Sequence, residues 1–379
     1  MIHTDRRELA SPRRGRWEMA LAAAGVDGWL LTTSTGVRLT TGKWSDTVDR
    51  DGETYRPIVA AGSPVDEVVI EAGVAVADPA LVDEVVDLLP RSGRVAVDRL
   101  GPAAFEHLSR ICPRVDVVDA GPLLATTRRH RDAAEVATIL DGNARAEAAL
   151  LRVLPLVKPG ITERQLAAAY HHAALECGLV DLHVDTVWCA LPGRIADAPW
   201  AEGEWRGWFP YRELTDDRAL VEGDHVCFDG GFLFDGYMVD VGWTVLAGRS
   251  PTTAEWGLAS RWAEVAHRVA DALQPGASAA DARRAALAGW PDGGPSPWPY
   301  PLYVAHGVGL GGVEPPFAGT DLGLEAEAAM PIEPGQVILV EPYIWEEGVG
   351  GYRAELCVVI TPEGPVRVNG LDVGRWPAG

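Results

Sequence analysis

The sequence predicts an α+β protein made of a small N-terminal α/β domain, residues 1–125, and a larger C-terminal domain, residues 126–379. Three observations predict it. Helix-period and strand-like segments alternate through the first third of the chain, a polar stretch from Thr126 to Asp132 interrupts them, and a helix, Pro-Gly turn and capped helix then occur twice. At 379 residues the chain is also long for one ordinary domain.

In the N-terminal part, Arg14 to Ala24 carries apolar residues at helical spacing. Val26-Asp27-Gly28 breaks that pattern, and Trp29 to Thr33 reads as a buried strand. Further strands are expected at 57–61, 67–70, 95–97 and 115–118, with helices at 79–89 and 102–111. No cluster of catalytic residue types forms here, so the expected role is structural, or to shape a site from outside. Thr126 to Asp132 reads as an interdomain linker, and its Arg128, Arg129 and Arg131 as a solvated surface run.

Ala133 to Leu154 then reads as a long amphipathic helix. Lys158-Pro159-Gly160 is a turn, and Thr162 is the N-cap of a helix over 163–177. Gln274-Pro275-Gly276 with Ser278 and Asp281 repeats that punctuation between a long helix and a shorter one, which hints at an internally duplicated domain.

Charge excludes some functions. Against 33 basic residues stand 54 acidic ones, a formal net charge of −21. Such a chain repels nucleic-acid phosphates and anionic lipid headgroups. No apolar run approaches a membrane span and no secretory segment opens the chain. The five scattered cysteines, without a CxxC pair, read as reduced, mostly buried thiols. A cytoplasmic protein is expected.

The chemistry lies in three segments. Strands at 225–229 and 237–246 flank a turn at Asp235-Gly236, a hairpin that brings Asp229 and Asp240 together. Two carboxylates side by side in apolar strands repel each other and lose hydration, so protons or cations must compensate; otherwise they face solvent at the strand ends. His306 is followed by glycines 307, 309, 311 and 312, which let backbone approach a bound group. Glu341 and Glu355 lie in apolar strands, and Arg353 shares a strand face with Glu355, whether as a site residue or as one half of a surface ion pair. Two Asp, one His and two Glu suit Mn²⁺, Fe²⁺, Co²⁺ or Zn²⁺. A pair of such ions about 3.5–4 Å apart activates water and polarises a carbonyl or amidine.

Asp229-x10-Asp240, His306-Gly-Val-Gly, Glu341-Pro and Arg353-x-Glu355 resemble the metal-binding set of the pita-bread metallopeptidase family, in its aminopeptidase P, prolidase and creatinase branch. The N-terminal part resembles the small domain of that branch, with Val37 to Gly42 where those proteins carry a Tyr-Leu-Thr-Gly-like strand. The resemblance implies a pita-bread C-terminal domain and two divalent ions. Asp229 then chelates one ion, Asp240 and Glu355 bridge both, and His306 and Glu341 complete the shell. Glu341 is the expected proton shuttle, and Arg353 joins it as catalytic. Tyr237 follows the family's hairpin turn, and a homodimer is implied.

The departures concern substrate. Arg212 and Val313 stand where peptidases of this family carry substrate-binding histidines, and Val241-Gly242-Trp243-Thr244 replaces a Thr-Arg-Thr run. Arg212, Val313, Trp243 and Tyr237 are therefore the candidate substrate residues, and Trp188, Trp200, Trp205 and Trp208 either line a pocket mouth, with Arg206 or Arg212 as an anion anchor, or pack in a loop. The expected function is metal-dependent hydrolysis of a C–N bond in a short peptide or other small molecule with an altered substrate shell. The alternatives are a metal-dependent lyase or oxidative step on a small molecule, and a non-catalytic binding protein.

Overall fold

The computed structural model describes residues 6–41, 58–63, 66–71, 75–194, 217–288, 304–320 and 322–377. It divides into two compact units, Met1–Glu135 and Val136–Gly379.

The first unit runs α1 (Arg6–Ala23), β1 (Gly28–Leu31), α2 (Ser34–Thr41), β2 (Ile58–Ser63), β3 (Asp66–Glu71), α3 (Pro79–Val85), β4 (Gly93–Val97), α4 (Pro102–Ile111), β5 (Val115–Asp119) and α5 (Gly121–Arg129). Its five strands form one sheet in the order β3-β2-β1-β4-β5. β1, β4 and β5 run parallel and β2 and β3 antiparallel. Leu30, Val59, Val95, Leu81, Val82 and Leu108 close the core between the sheet and α3 and α4. Asp98 fixes the turn between β1 and α2, since its carboxylate accepts the N–H groups of Thr32 (2.8 Å) and Thr33 (3.1 Å).

Two expectations for this region are corrected. Val37 to Thr41 is helical, in α2, and Gly42 lies outside the described residues. Asp98 and the Thr33 hydroxyl, which accepts the Gly36 N–H at 3.0 Å, start a helix that local propensity alone does not favour. The expected linker is also helical as far as Arg129, and α6 begins at Ala133.

The second unit begins in α6 (Ala133–Val153) and continues α7 (Glu163–Glu176), β6 (Asp181–Leu191), β7 (His225–Phe234), β8 (Tyr237–Leu246), α8 (Thr253–Ala272) and α9 (Ala279–Leu287). There follow β9 (Ala305–Gly309), β10 (Gly312–Ala318), α10 (Gly323–Ala328), β11 (Val337–Val340), β12 (Tyr343–Glu346), β13 (Gly350–Arg353), β14 (Leu356–Thr361) and β15 (Gly364–Arg367). The sheets are β6-β7-β8, β10-β9-β11-β14-β15 and the pair β12-β13. Trp188, Trp262, Tyr170, Phe228 and Tyr352 are fully buried among them.

The duplication hinted at by the two Pro-Gly turns is visible in backbone hydrogen bonds. Gly160 N–H donates to Leu220 O and Leu220 N–H to Ile161 O at 2.9 and 2.8 Å; Gly276, Ile332 and Ala277 repeat both bonds at 2.9 and 2.8 Å. Gly223 N–H reaches Ala247 O as Gly335 N–H reaches Ile360 O, at 2.9 and 2.8 Å. Both copies start their second helix with a capping box, Thr162 with Gln165 and Ser278 with Asp281. Counting onward from Gly223 and Gly335, Asp229 and Glu341 occupy the same place in the two copies. Each copy thus delivers one acidic residue at the equivalent strand position.

Candidate metal centre

The β7–β8 hairpin turns on Asp235 (φ 46°) and Gly236 (φ 89°), the left-handed pair of a two-residue type I′ loop. That turn sets the register, with Asp229 opposite Gly242 and Gly231 opposite Asp240. Asp229 and Asp240 consequently share one face on neighbouring strands. On the other sheet His306 in β9 lies opposite Leu339 in β11, and Glu341 follows two residues later, so those two side chains also share a face. Glu341 sits just past the end of β11, where its N–H donates to Val304 O at 2.9 Å and Trp262 Nε1 donates to Pro342 O at 2.6 Å.

Glu355 lies between β13 and β14, and its N–H donates to Gly242 O at 3.0 Å. The Thr244 hydroxyl donates to Arg353 O at 2.7 Å. These bonds fasten the Arg353–Glu355 segment to the strand that carries Asp240. Gly242 leaves room for the two side chains as they stand: a Cβ would lie 2.5 Å from Glu355 Oε1 and 2.8 Å from Arg353 Nη1 and displace their ends.

Asp229, Asp240 and Glu355 each bring a carboxylate oxygen to within 4.8 Å of the others. His306 Nε2 lies 3.1 Å from Glu341 Oε1 and 3.7 Å from Asp240 Oδ2. Arg353 stands 3.2 Å from Asp229 and 3.1 Å from Glu355, and also pairs with Glu341. The structure therefore brings together Asp229, Asp240, His306, Glu341, Glu355 and Arg353.

Four carboxylates converge on one guanidinium and one imidazole, and Asp240, Glu341 and Glu355 are buried. Burial, reinforced by Asp229, lifts Asp240 to about 7. Burial and then Asp240 push Glu355 well above the carboxylate range. For His306, burial pulls the imidazole down, but Glu341 and Asp240 outweigh it and raise it to about 9. Burial opposes ionisation of Glu341 too, yet Arg353 and His306 hold it below its ordinary value. Cys227 and Cys357 are pushed up by burial to about 12, which leaves neither as a thiolate nucleophile near neutral pH.

Asp240 Oδ1 and Glu355 Oε2 are buried and accept no hydrogen bond. Uncompensated carboxylate oxygens aimed into a shared space are costly, and hard oxygen donors beside an imidazole match a divalent transition ion. The residues present fit such an ion. His306 Nδ1 lies 3.1 Å from the Gly307 carbonyl, a contact that directs Nε2 to the carboxylates.

The remaining candidates are placed elsewhere. Arg212, like Trp200, Trp205, Arg206 and Trp208, lies outside the described residues. Val313 pairs with Val308 on β10 and is 43% exposed. Tyr237 and Trp243, expected beside the substrate, each lie three residues from Asp240 on β8 and so project from its other face into the core. Trp243 Nε1 donates to Tyr352 Oη (3.0 Å) and Arg375 O (2.9 Å), a structural use of the indole. Trp188 is buried against Phe228, with ring centroids 4.6 Å apart, and so packs the core and lines no pocket mouth. Gly307 makes room for protein backbone and no ligand, because a Cβ there would lie 2.7 Å from Glu314 O.

Fold and centre together define an α+β pita-bread protein whose second unit holds an acidic cluster able to take a metal ion. The sequence pattern of metallopeptidase family M24 matches residues 137–362, and the chain belongs to that family. It is 28% identical over 268 residues to the probable dipeptidase PepE of Mycobacterium tuberculosis, an alignment covering 68% of this chain and 64% of that protein. It therefore spans less than two thirds of that curated relative's length. Among solved structures, recombinant prolidase from Thermococcus sibiricus superposes with a TM-score of 0.75 at 17% identity, covering 96% of this chain and 97% of that one. Dipeptidase PepE from Mycobacterium ulcerans gives 0.69 at 24% identity, covering 98% of each. At these identities the superpositions establish the fold.

Proposed function

We propose that the chain is a metal-dependent hydrolase that cleaves a C–N bond in a dipeptide or another small substrate. Two divalent ions, drawn from Mn, Fe, Co or Zn, are assigned to Asp229, Asp240, His306, Glu341 and Glu355. The observation that carries this reading is the convergence of Asp229, Asp240 and Glu355 within 4.8 Å, with Asp240 Oδ1 and Glu355 Oε2 accepting no hydrogen bond. Family membership and the names of the relatives, dipeptidase and prolidase, support it.

When bound, such ions lower the pKa of a water toward neutrality and polarise the substrate carbonyl. The protein's own part is to position and to move protons. Glu341, which Arg353 and His306 keep ionised, is the base assigned to take a proton and return it to the leaving amine. Arg353 holds Asp229, Glu341 and Glu355 toward one point and offsets part of their charge. Asp240 and Glu355 are the assigned bridging carboxylates. The same reading takes the protein as a cytoplasmic homodimer, with which its free cysteines agree; analytical ultracentrifugation tests the assembly.

The test is metal binding together with turnover. Chelator-treated protein should take up Mn²⁺, Co²⁺ or Zn²⁺ at about two ions per chain, as a two-ion site requires, and then release amine from a panel of Xaa-Pro and other dipeptides. Asp240→Ala should reduce both to background. No divalent binding, or full turnover by Asp240→Ala, would sink the proposal.

One observation favours a second reading, a metal-dependent lyase or oxidative step. Val313 is apolar and 43% exposed where a substrate-binding histidine is expected. Reaction in ¹⁸O-labelled water separates the two, because hydrolysis puts the label into the product carboxylate and elimination yields an unlabelled unsaturated product.

A further inference from the structure

The backbones that carry Asp240 and Glu355 are tied to each other behind the centre by a buried polar chain. Asn143 on α6 accepts the Asp240 N–H at its Oδ1 (3.2 Å), and its Nδ2 donates to Cys357 Sγ (3.3 Å). The Cys357 N–H donates to Asn369 Oδ1 at 2.6 Å, and Asn369 Nδ2 donates to Glu355 O at 3.0 Å. One side-chain amide thus satisfies the backbone on both sides of Leu356, just beyond the end of β15 where strand pairing stops. Asn369 Nδ2 also donates to Glu147 Oε1 (3.3 Å), and both Glu147 oxygens accept the Gly370 N–H (3.2 and 3.0 Å). Glu147 lies one helical turn after Asn143, so a single face of α6 holds both ends of the chain.

Both asparagines use donor and acceptor together. Aspartate keeps the acceptor but loses the donor and adds a buried charge, and alanine leaves backbone groups of the ligand segments without partners. Gly142, next to Asn143, lets α6 come this close, since a Cβ there would lie 2.4 Å from Val239 Cγ1.

We propose that Asn143, Asn369 and Glu147 form a positioning network that sets the separation of Asp240 and Glu355 for metal binding. None of the three belongs to the proposed ligand set. They act through the backbones of the two assigned bridging carboxylates, so this inference rests on the metal reading above.

The test measures affinity for Mn²⁺ alone, by competition with a fluorescent chelator, in the full chain and in Asn143→Ala, Asn369→Ala, Glu147→Gln and Leu150→Ala. Leu150 is a buried apolar residue on the same helix and outside the network. Asn143→Ala and Asn369→Ala should each weaken Mn²⁺ binding about 10–100-fold, the usual effect of losing a residue that orients a ligand. Glu147→Gln keeps one acceptor oxygen but replaces the other with a donor, so it should weaken Mn²⁺ binding less than either asparagine variant does. Leu150→Ala should lower the unfolding midpoint and leave Mn²⁺ affinity unchanged. Far-UV circular dichroism and cooperative melting of the metal-free variants confirm folding, and each asparagine is an independent arm should the other variant not fold. Parent-like affinity in the folded asparagine variants, or an equal loss in Leu150→Ala, overturns this proposal while the metal reading stands. Absence of binding by the parent chain overturns the metal reading and this inference with it.

Discussion

Asp240 meets two demands that conflict without a cation. Its side chain must be buried to face Glu355 and His306, and burial beside Asp229 lifts its carboxyl to about 7. His306, raised to about 9 against the pull of burial, has the same sign. Both groups bind more protons in the folded chain than unfolded, where ordinary values are about 3.9 and 6.5. Their contribution to metal-free stability is therefore full below those unfolded values and is lost as pH rises through about 7 and then about 9. Metal uptake must displace the same protons. Mn²⁺ affinity should accordingly rise between about pH 6 and pH 9, with net release of protons at neutral pH, Glu355 adding to Asp240 and His306. Calorimetric titration in two buffers of different ionisation enthalpy measures that release, and a pH-independent affinity would contradict it.

At the scale of elements, α6 is the strut behind the centre. Gly142 is poor for a helix interior, and alanine there would ordinarily gain about 1 kcal/mol. Here its Cβ would lie 2.4 Å from Val239 Cγ1 and 2.9 Å from Phe234 Cβ, inside a packed interface. Overpacking costs about 1–3 kcal/mol, so Gly142→Ala should give no net gain and a loss of up to about 2 kcal/mol. Urea denaturation followed by tryptophan fluorescence checks the sign. The β7–β8 hairpin was legible in the sequence because its turn residues and alternation are local. The helix at Ser34–Thr41 was not, because Asp98, more than sixty residues away, holds its start.

Across the whole molecule, a formal charge of −21 is a self-repulsion that solvent ions screen. Going from about 10 mM to about 150 mM NaCl shortens the Debye length from about 30 to about 8 Å. The unfolding midpoint of the metal-free chain should rise over that range, as differential scanning fluorimetry will show, and a falling midpoint would contradict the argument. Among the described residues, no helix is long and apolar enough to cross a membrane.

Some of this was fixed by order along the chain. Asp229 and Asp240 are brought together by a two-residue turn, and Glu341 is conspicuous as a charge between Val340 and Pro342; both signals survive in one dimension because hairpins and apolar runs are local. Strand alternation, counted from Asp240, also suffices to send Tyr237 and Trp243 to the opposite face, a signal present in the sequence that the Thr-Arg-Thr comparison obscured. Only the tertiary structure decided that Arg353 reaches Asp229, Glu341 and Glu355, that Gly242 leaves room for the Glu355 and Arg353 side-chain ends, and that Asn143 and Asn369 hydrogen-bond the backbones carrying Asp240 and Glu355. Asn143 meets Cys357 across 214 positions and Asn369 meets Glu147 across 222. No residue pattern announces such contacts, because a buried amide is recognisable only by the donors and acceptors that folding brings to it. The sequence by itself marked out the acidic and histidine groups of the candidate centre; packing at long range decided how they are held.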